Sequence, residues 1–399
     1  IFWRLSRPAS RYILSTKCKR FRQMTSEERI KSALEHRTPD RVPIDLGTNV
    51  TSIHRDAYRA LRKYLGFPEK EPEIIDRMQQ AAKIDEDVLT HFKIDTRQLH
   101  LRPVNPWVKE KKGIWRDEWG IGWRLSPDGA YYDMVEHPLQ DYSLADLESY
   151  RFPDPDNPKR FDGLEEEARR LHDNTGCALV LNGFGECVFG MPAFLRGHVQ
   201  FYMDLIDRSK FAENLVRRLT DYSKRLIQNS LKQIGTDVTV LRIADDLGTE
   251  NGPIVAPELY RECIKPFQAE LCSAVRDYSD AKILLHTCGA VRDFIPDFIE
   301  IGIDAINPVQ TSAHNMDPGE LKEEFGRDIT FWGGGCDTQK TVPFGSIEDI
   351  RNEVKERIGI FAPGGGFVFT PVHNLQPDVS PEKIETIFKS AYEYSNILF

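Results

Sequence analysis

The sequence predicts an α/β protein whose parallel strands close into a (β/α)8 TIM barrel, with helices at the N-terminal side and an inserted antiparallel β ribbon. Three observations lead there. Short apolar runs alternate with helical patterns through most of the chain, as in a parallel sheet covered by helices. About eight such strand–helix units can be counted. The 399 residues exceed the roughly 250 that such a barrel needs, which leaves room for the additions. A doubly wound open sheet is the runner-up, but no G-x-G-x-x-G follows an early strand.

Taken in order, residues 1–23 stand apart. They are rich in Arg, Lys and Ser and hold no Asp or Glu. That composition is either an organelle transit peptide or a translated upstream artefact, and the second reading is preferred. The fold is therefore expected to occupy residues 24–399 as one domain, with Met24 as the natural start. Thr25 or Ser26 caps a helix whose first turn carries Glu27 and Glu28, as the helix dipole favours. RVPIDLG (41–47) reads as a strand, followed by helices near 54–65 and 72–90. The ribbon is expected over about 98–139, where period-two alternation meets a Pro-Asp-Gly turn. A barrel strand is also expected near 98. Four of the six Trp residues lie in or beside the ribbon: Trp107, Trp115, Trp119 and Trp123. They either pack across a small sheet, which is preferred, or cap the barrel and dock a partner.

The second half is more regular. Strands are expected at 177–183, 237–246, 282–289, 304–310, 329–336 and 366–374. Helices lie between them, including 257–278, 291–301, 317–325 and 346–360, and a last helix spans 381–395. A Gly run at 364–366 precedes a strand and so makes a poor phosphate loop.

Composition narrows function. A net charge of −9 disfavours nucleic acid. No apolar run approaches the ~18 residues of a membrane span. Seven cysteines are sparse and odd in number, which suits a reducing, cytoplasmic setting.

Polar residues collect where the apolar runs end, the end at which a barrel builds its active site. His286 and Cys288 sit at i and i+2, so both point to the same side. Cys336 follows three glycines, 48 positions after Cys288. One imidazole and two thiolates suit Zn2+ and leave a fourth position open for substrate. Glu186 is a candidate fourth ligand at rest. Asp245 and Asp246 are candidate catalytic carboxylates that shape the pocket or orient the histidine. Asn307, Gln310, Asp337, Gln339, His373 and Asn374 are expected to line the substrate pocket. A zinc–thiolate centre favours thiol alkylation over hydrolysis.

With these residues in place the chain resembles the uroporphyrinogen decarboxylase superfamily, and within it the cobalamin-dependent methyltransferase branch. The resemblance runs from about Met24 to the C-terminus. It is densest over 243–376, through IADDLGTENGP, LLHTCGAVRDF, FWGGGCDTQ and GGGFVFTPVHNLQ. The branch's H-x-C plus later Cys zinc signature matches His286, Cys288 and Cys336. The resemblance implies methyl transfer between a corrinoid (cobalamin), carried by a partner protein, and a thiol or methylated small molecule. A homodimer is the expected assembly. One alternative is a uroporphyrinogen decarboxylase, but its arginine-rich M-R-Q-A-G-R run is missing: after Arg41-Val42-Pro43 the chain reads IDLGTN. The other is a non-catalytic barrel that serves as a binding subunit.

Overall fold

In the computed structural model, which describes residues 23–235 and 237–396, each apolar run of the second half forms a strand buried on both faces. The leader reading falls, but for residue 23, outside this range. Helix α1 (Ser26–Leu34) begins at Thr25, whose hydroxyl accepts from the Glu28 N–H while the Glu28 carboxylate accepts the Thr25 N–H. Its Ile30, Ala33 and Leu34 plug the barrel floor. Residues 43–45 come next, as a single extended segment. Then follow α2 (Arg55–Tyr64), a small hairpin of β1 (Ile74–Asp76) and β2 (Ala81–Ala82), and α3 (Glu86–His91).

The helix expected over 72–90 is thus replaced by a hairpin and a short helix. The Asp76 carboxylate accepts the Gln79 N–H, and Gln80 takes a φ of 52°, which together close a turn where a helix would run on.

Strand β3 (Thr96–His100) belongs to the barrel. The ribbon therefore starts later than expected, with β4 (Val108–Lys109), β5 (Ile114–Arg116), β6 (Gly122–Leu125) and β7 (Tyr132–Glu136) in one antiparallel sheet. Trp107 stacks on Trp123 with centroids 5.3 Å apart, and the Arg77 guanidinium lies 4.1 Å from the Trp115 ring. Helix α4 (Leu144–Ser149) and α5 (Leu164–Thr175) lead to β8 (Ala178–Glu186). Three helices follow: α6 (Gly190–Arg196), α7 (His198–Ile206) and α8 (Lys210–Ile234). Ribbon residues Ile121 and Trp123 pack on Leu195 of α6 and on Phe211, Leu215 and Leu219 of α8. The tryptophans thus serve packing.

The remaining units are β9 (Val240–Ala244) with α9 (Pro257–Cys263) and α10 (Lys265–Arg276), β10 (Lys282–His286) with α11 (Ile295–Glu300), β11 (Ala305–Asn307) with α12 (Pro318–Phe325), β12 (Thr330–Trp332) with α13 (Thr341–Phe344) and α14 (Ile347–Phe361), and β13 (Phe367–Val368) with α15 (Pro381–Ser395). Helix 257–278 is broken at Ile264, just before Pro266, whose missing N–H cannot continue the first helix's ladder.

Seven strands form one parallel sheet in the order β13-β12-β11-β10-β9-β8-β3. Residues 43–45 join its two edges. The Asp45 N–H donates to the Phe369 carbonyl, the Phe369 N–H to the Pro43 carbonyl, and the Asp95 N–H to the Ile44 carbonyl. The buried Asp45 carboxylate accepts from Thr96 Oγ1, Thr51 Oγ1, Gln98 Nε2 and the Trp332 indole, and so ties this segment to strands β3 and β12. Asp95 holds the same seam from outside, pairing with Arg29 and Arg41. Among the described residues no helix is long and apolar enough to cross a membrane.

Candidate metal centre

Strand β10 alternates, so His286 faces the barrel interior like Leu284 beneath it. Its Nδ1 lies 2.7 Å from Asn307 Oδ1. The Asn307 amide donates from Nδ2 to the Trp332 carbonyl at 2.8 Å, which fixes Oδ1 as the acceptor. His286 therefore carries its proton on Nδ1 and presents a lone pair on Nε2. That Nε2 is 3.4 Å from Cys288 Sγ. Cys288 is held by its own N–H, which donates to Asp246 Oδ1 at 2.8 Å. The next N–H, of Gly289, donates to Gln310 Oε1 at 2.9 Å. Gly289 has a φ of 86°, and a Cβ there would lie 2.4 Å from the Gly248 backbone, so only glycine permits this turn.

His373, just past β13, completes the group: its ring centroid is 5.6 Å from that of His286. The ligand atoms of His286, Cys288 and His373 all lie within 4.8 Å of one another. Burial, with Arg242 nearby, lowers the His286 pKa to about 3. Burial and His286 lower that of His373 to about 4. Both imidazoles are neutral at physiological pH and free to bind a cation. Burial and Asp246 push the Cys288 thiol up. Cys288 and His373 are only half-buried.

Cys336, expected as the third ligand, is not part of this group. It is fully buried, and its thiol donates to Glu353 on α14 at 3.3 Å. The Asp337 N–H donates to the same oxygen. The glycine run does not bring it to the group: Phe369 packs against Gly335, where a Cβ would sit 2.3 Å from its ring, and the Cys336 thiol meets Glu353 instead. His373, expected only to line the pocket, stands in its place.

The carboxylates divide. Asp245 Oδ1 accepts the backbone N–H groups of Cys187, Val188, Phe189 and Gly190 at 2.7–3.0 Å, and its Oδ2 accepts from Gln268 Nε2 at 3.0 Å. It pins the loop between β8 and α6 and has no lone pair to spare for chemistry, which corrects the catalytic role expected of it. Asp246 belongs to the site, with Oδ1 3.8 Å from His286 Nε2. Glu186 ends β8, and its Oε2 accepts the Asp246 N–H at 3.3 Å. Desolvation, then the charges of Asp246 and Asp245, raise its pKa well above the carboxylate range. A Cβ on Gly190 would fall 1.6 Å from Glu186 Oε2, so the neighbouring helix must start with glycine.

The other expected pocket residues mostly brace loops. Asp337 Oδ1 accepts the N–H groups of Gln339 and Lys340 in its own turn. Gln339 is exposed on the rim, bonded to Ser312 and Glu250. Asn374 accepts the Ser52 N–H and donates to the Asn49 carbonyl and Gln79. Sequence reasoning missed Arg242, whose signal was a lone cation inside an apolar strand.

Comparison with known proteins places the fold. The uroporphyrinogen decarboxylase (URO-D) family model matches residues 120–394. The uroporphyrinogen decarboxylase of Alkalilimnicola ehrlichii is 22% identical over 375 residues, which is 92% of this chain and 94% of that protein. That of Legionella pneumophila is 20% identical over 274 residues, 67% of this chain and 74% of that protein. A methyltransferase from Methanosarcina mazei superposes with a TM-score of 0.65 at 18% identity, covering 93% of this chain and 99% of that one. At such identity the likeness shows a shared fold.

Proposed function

The chain belongs to the uroporphyrinogen decarboxylase family, and within it we propose a zinc-dependent methyltransferase. It moves a methyl group between a corrinoid, held by a partner protein, and a thiol or methylated small molecule. The observation that carries this reading is the convergence of His286, Cys288 and His373. The donor set fits zinc: two neutral imidazoles and one sulfur, within the reach of a single tetrahedral ion, with room for one more ligand.

Zinc at this site would hold a substrate thiol as its thiolate; lowering a thiol pKa from ~8.5 to ~6.5 takes about 2.7 kcal/mol. The chain's own residues do the rest. Asn307 holds the His286 ring in the tautomer that offers Nε2. Asp246 fixes the Cys288 backbone. Glu186, as a carboxylic acid, can protonate a heteroatom that leaves when a methylated donor gives up its methyl group. The Methanosarcina mazei methyltransferase's shared fold supports the reading, as does the mismatch with decarboxylase substrate arginines noted in the sequence.

The test is turnover. Methylcobalamin incubated with the protein and a panel of small thiols should lose its methyl group, and the rate should fall on chelation and return with zinc. Metal-independent decarboxylation of uroporphyrinogen, with no demethylation of methylcobalamin, would replace this reading with that of the curated relatives.

A further inference from the structure

A cavity of about 620 Å³ opens at the mouth of the barrel, with Asn49, Gln98, His100, Asn182 and Arg242 in its wall. Arg242 is 2% exposed. Strand register places it beside Leu284, two residues below the level of His286 on the adjoining strand. Its Nε donates to Asn182 Oδ1 at 2.8 Å and its Nη2 to Asn49 Oδ1 at 2.5 Å. Both acceptors are neutral amides. Nη1 has no partner.

A buried guanidinium normally meets a carboxylate, since an uncompensated buried charge is costly. Here, among the described residues, none pairs with it. Asp76 is reached only through the Asn49 amide, which donates to it at 3.2 Å. Asp45 spends its oxygens on four neutral donors. Of the other cations in the wall, Arg170 pairs with Glu167 and Lys83 with Glu73, while Arg102 is exposed to solvent. Arg242 is thus the buried cation of this wall, and both N–H groups of its Nη1 lack an acceptor.

We propose that Arg242 anchors an anionic group, a carboxylate, sulfonate or phosphate, of a small molecule that enters the barrel. Naming that molecule as the methyl-transfer substrate rests on the proposed function; the anion site itself does not. The anion end would sit on Arg242 Nη1, two residues below the level of His286 on the adjoining strand.

Thermal unfolding of the purified protein tests this, with sodium propionate, sodium methanesulfonate, sodium phosphate and neutral propionamide as probes at ionic strength matched by sodium chloride. At least one anion should raise the midpoint saturably above the chloride control, and propionamide should not. Whichever anion acts identifies the group. In Arg242→Gln, half-saturation should need about tenfold more of that anion or more, the worth of one charge-assisted hydrogen bond. Two results would overturn the site: no anion exceeding chloride on the wild-type protein, or Arg242→Gln responding as the wild type does. If Arg242→Gln does not fold, the wild-type arms still decide, and Arg242→Lys should bind with weakened affinity. Anion binding without methyl transfer would sink the proposed function and leave this site standing. Methyl transfer without an anion response would do the reverse.

Discussion

His286→Ala should lower zinc affinity by more than about 100-fold and abolish methyl transfer at ordinary zinc concentrations, since changes in residues that merely orient a ligand already cost 10–100-fold. The effect should be large because the imidazole is held ready: its Nδ1 proton is committed to Asn307, and Nε2 faces Cys288 at 3.4 Å. Asn307→Leu should give the milder, orienting-type loss, since the ring would keep its place but not its tautomer. Zinc titration against a competing chelator orders the two variants. Equal losses would mean that Asn307 does more than orient, and an undiminished affinity in His286→Ala would remove the imidazole from the site.

Asp245→Ala should have the second large effect, and on stability. Four backbone N–H groups and the Gln268 amide all lose their acceptor in a buried place. At ~1–3 kcal/mol for each unsatisfied group, less whatever the loop recovers by relaxing, a loss on the order of 4 kcal/mol is expected. The urea midpoint should fall accordingly, while the folded fraction keeps its zinc. A variant with wild-type stability and no activity would instead make Asp245 catalytic.

The strands of the second half were legible because each is a short apolar run closed by turn residues, and burial on both faces demands that pattern. The eighth member of the barrel was legible as a strand at 41–47, yet only residues 43–45 make the bonds that close the ring. The hairpin at 74–82 was not legible, because two short strands and a six-residue helix leave a pattern like that of one amphipathic helix. Of the metal group, His286 and Cys288 could be read from spacing alone, since i and i+2 on a strand end share a face. Cys336 could not be placed: its thiol meets Glu353 on a helix 17 residues later, and that contact does not show in local sequence. His373 was found but given the lesser role, because nothing in the sequence says which strand ends adjoin across a closed barrel. Arg242 shares register parity with the inward Val240, so an inward cation was readable in principle once the strand was assigned.

Zinc content by mass spectrometry, compared among the wild type, His373→Ala and Cys336→Ser after zinc loading and desalting, separates the two ligand sets. The expected result is about one zinc per chain in the wild type and in Cys336→Ser, with little retained in His373→Ala. Loss of zinc from Cys336→Ser with retention in His373→Ala, or no stoichiometric zinc in the wild type, would contradict the site described above.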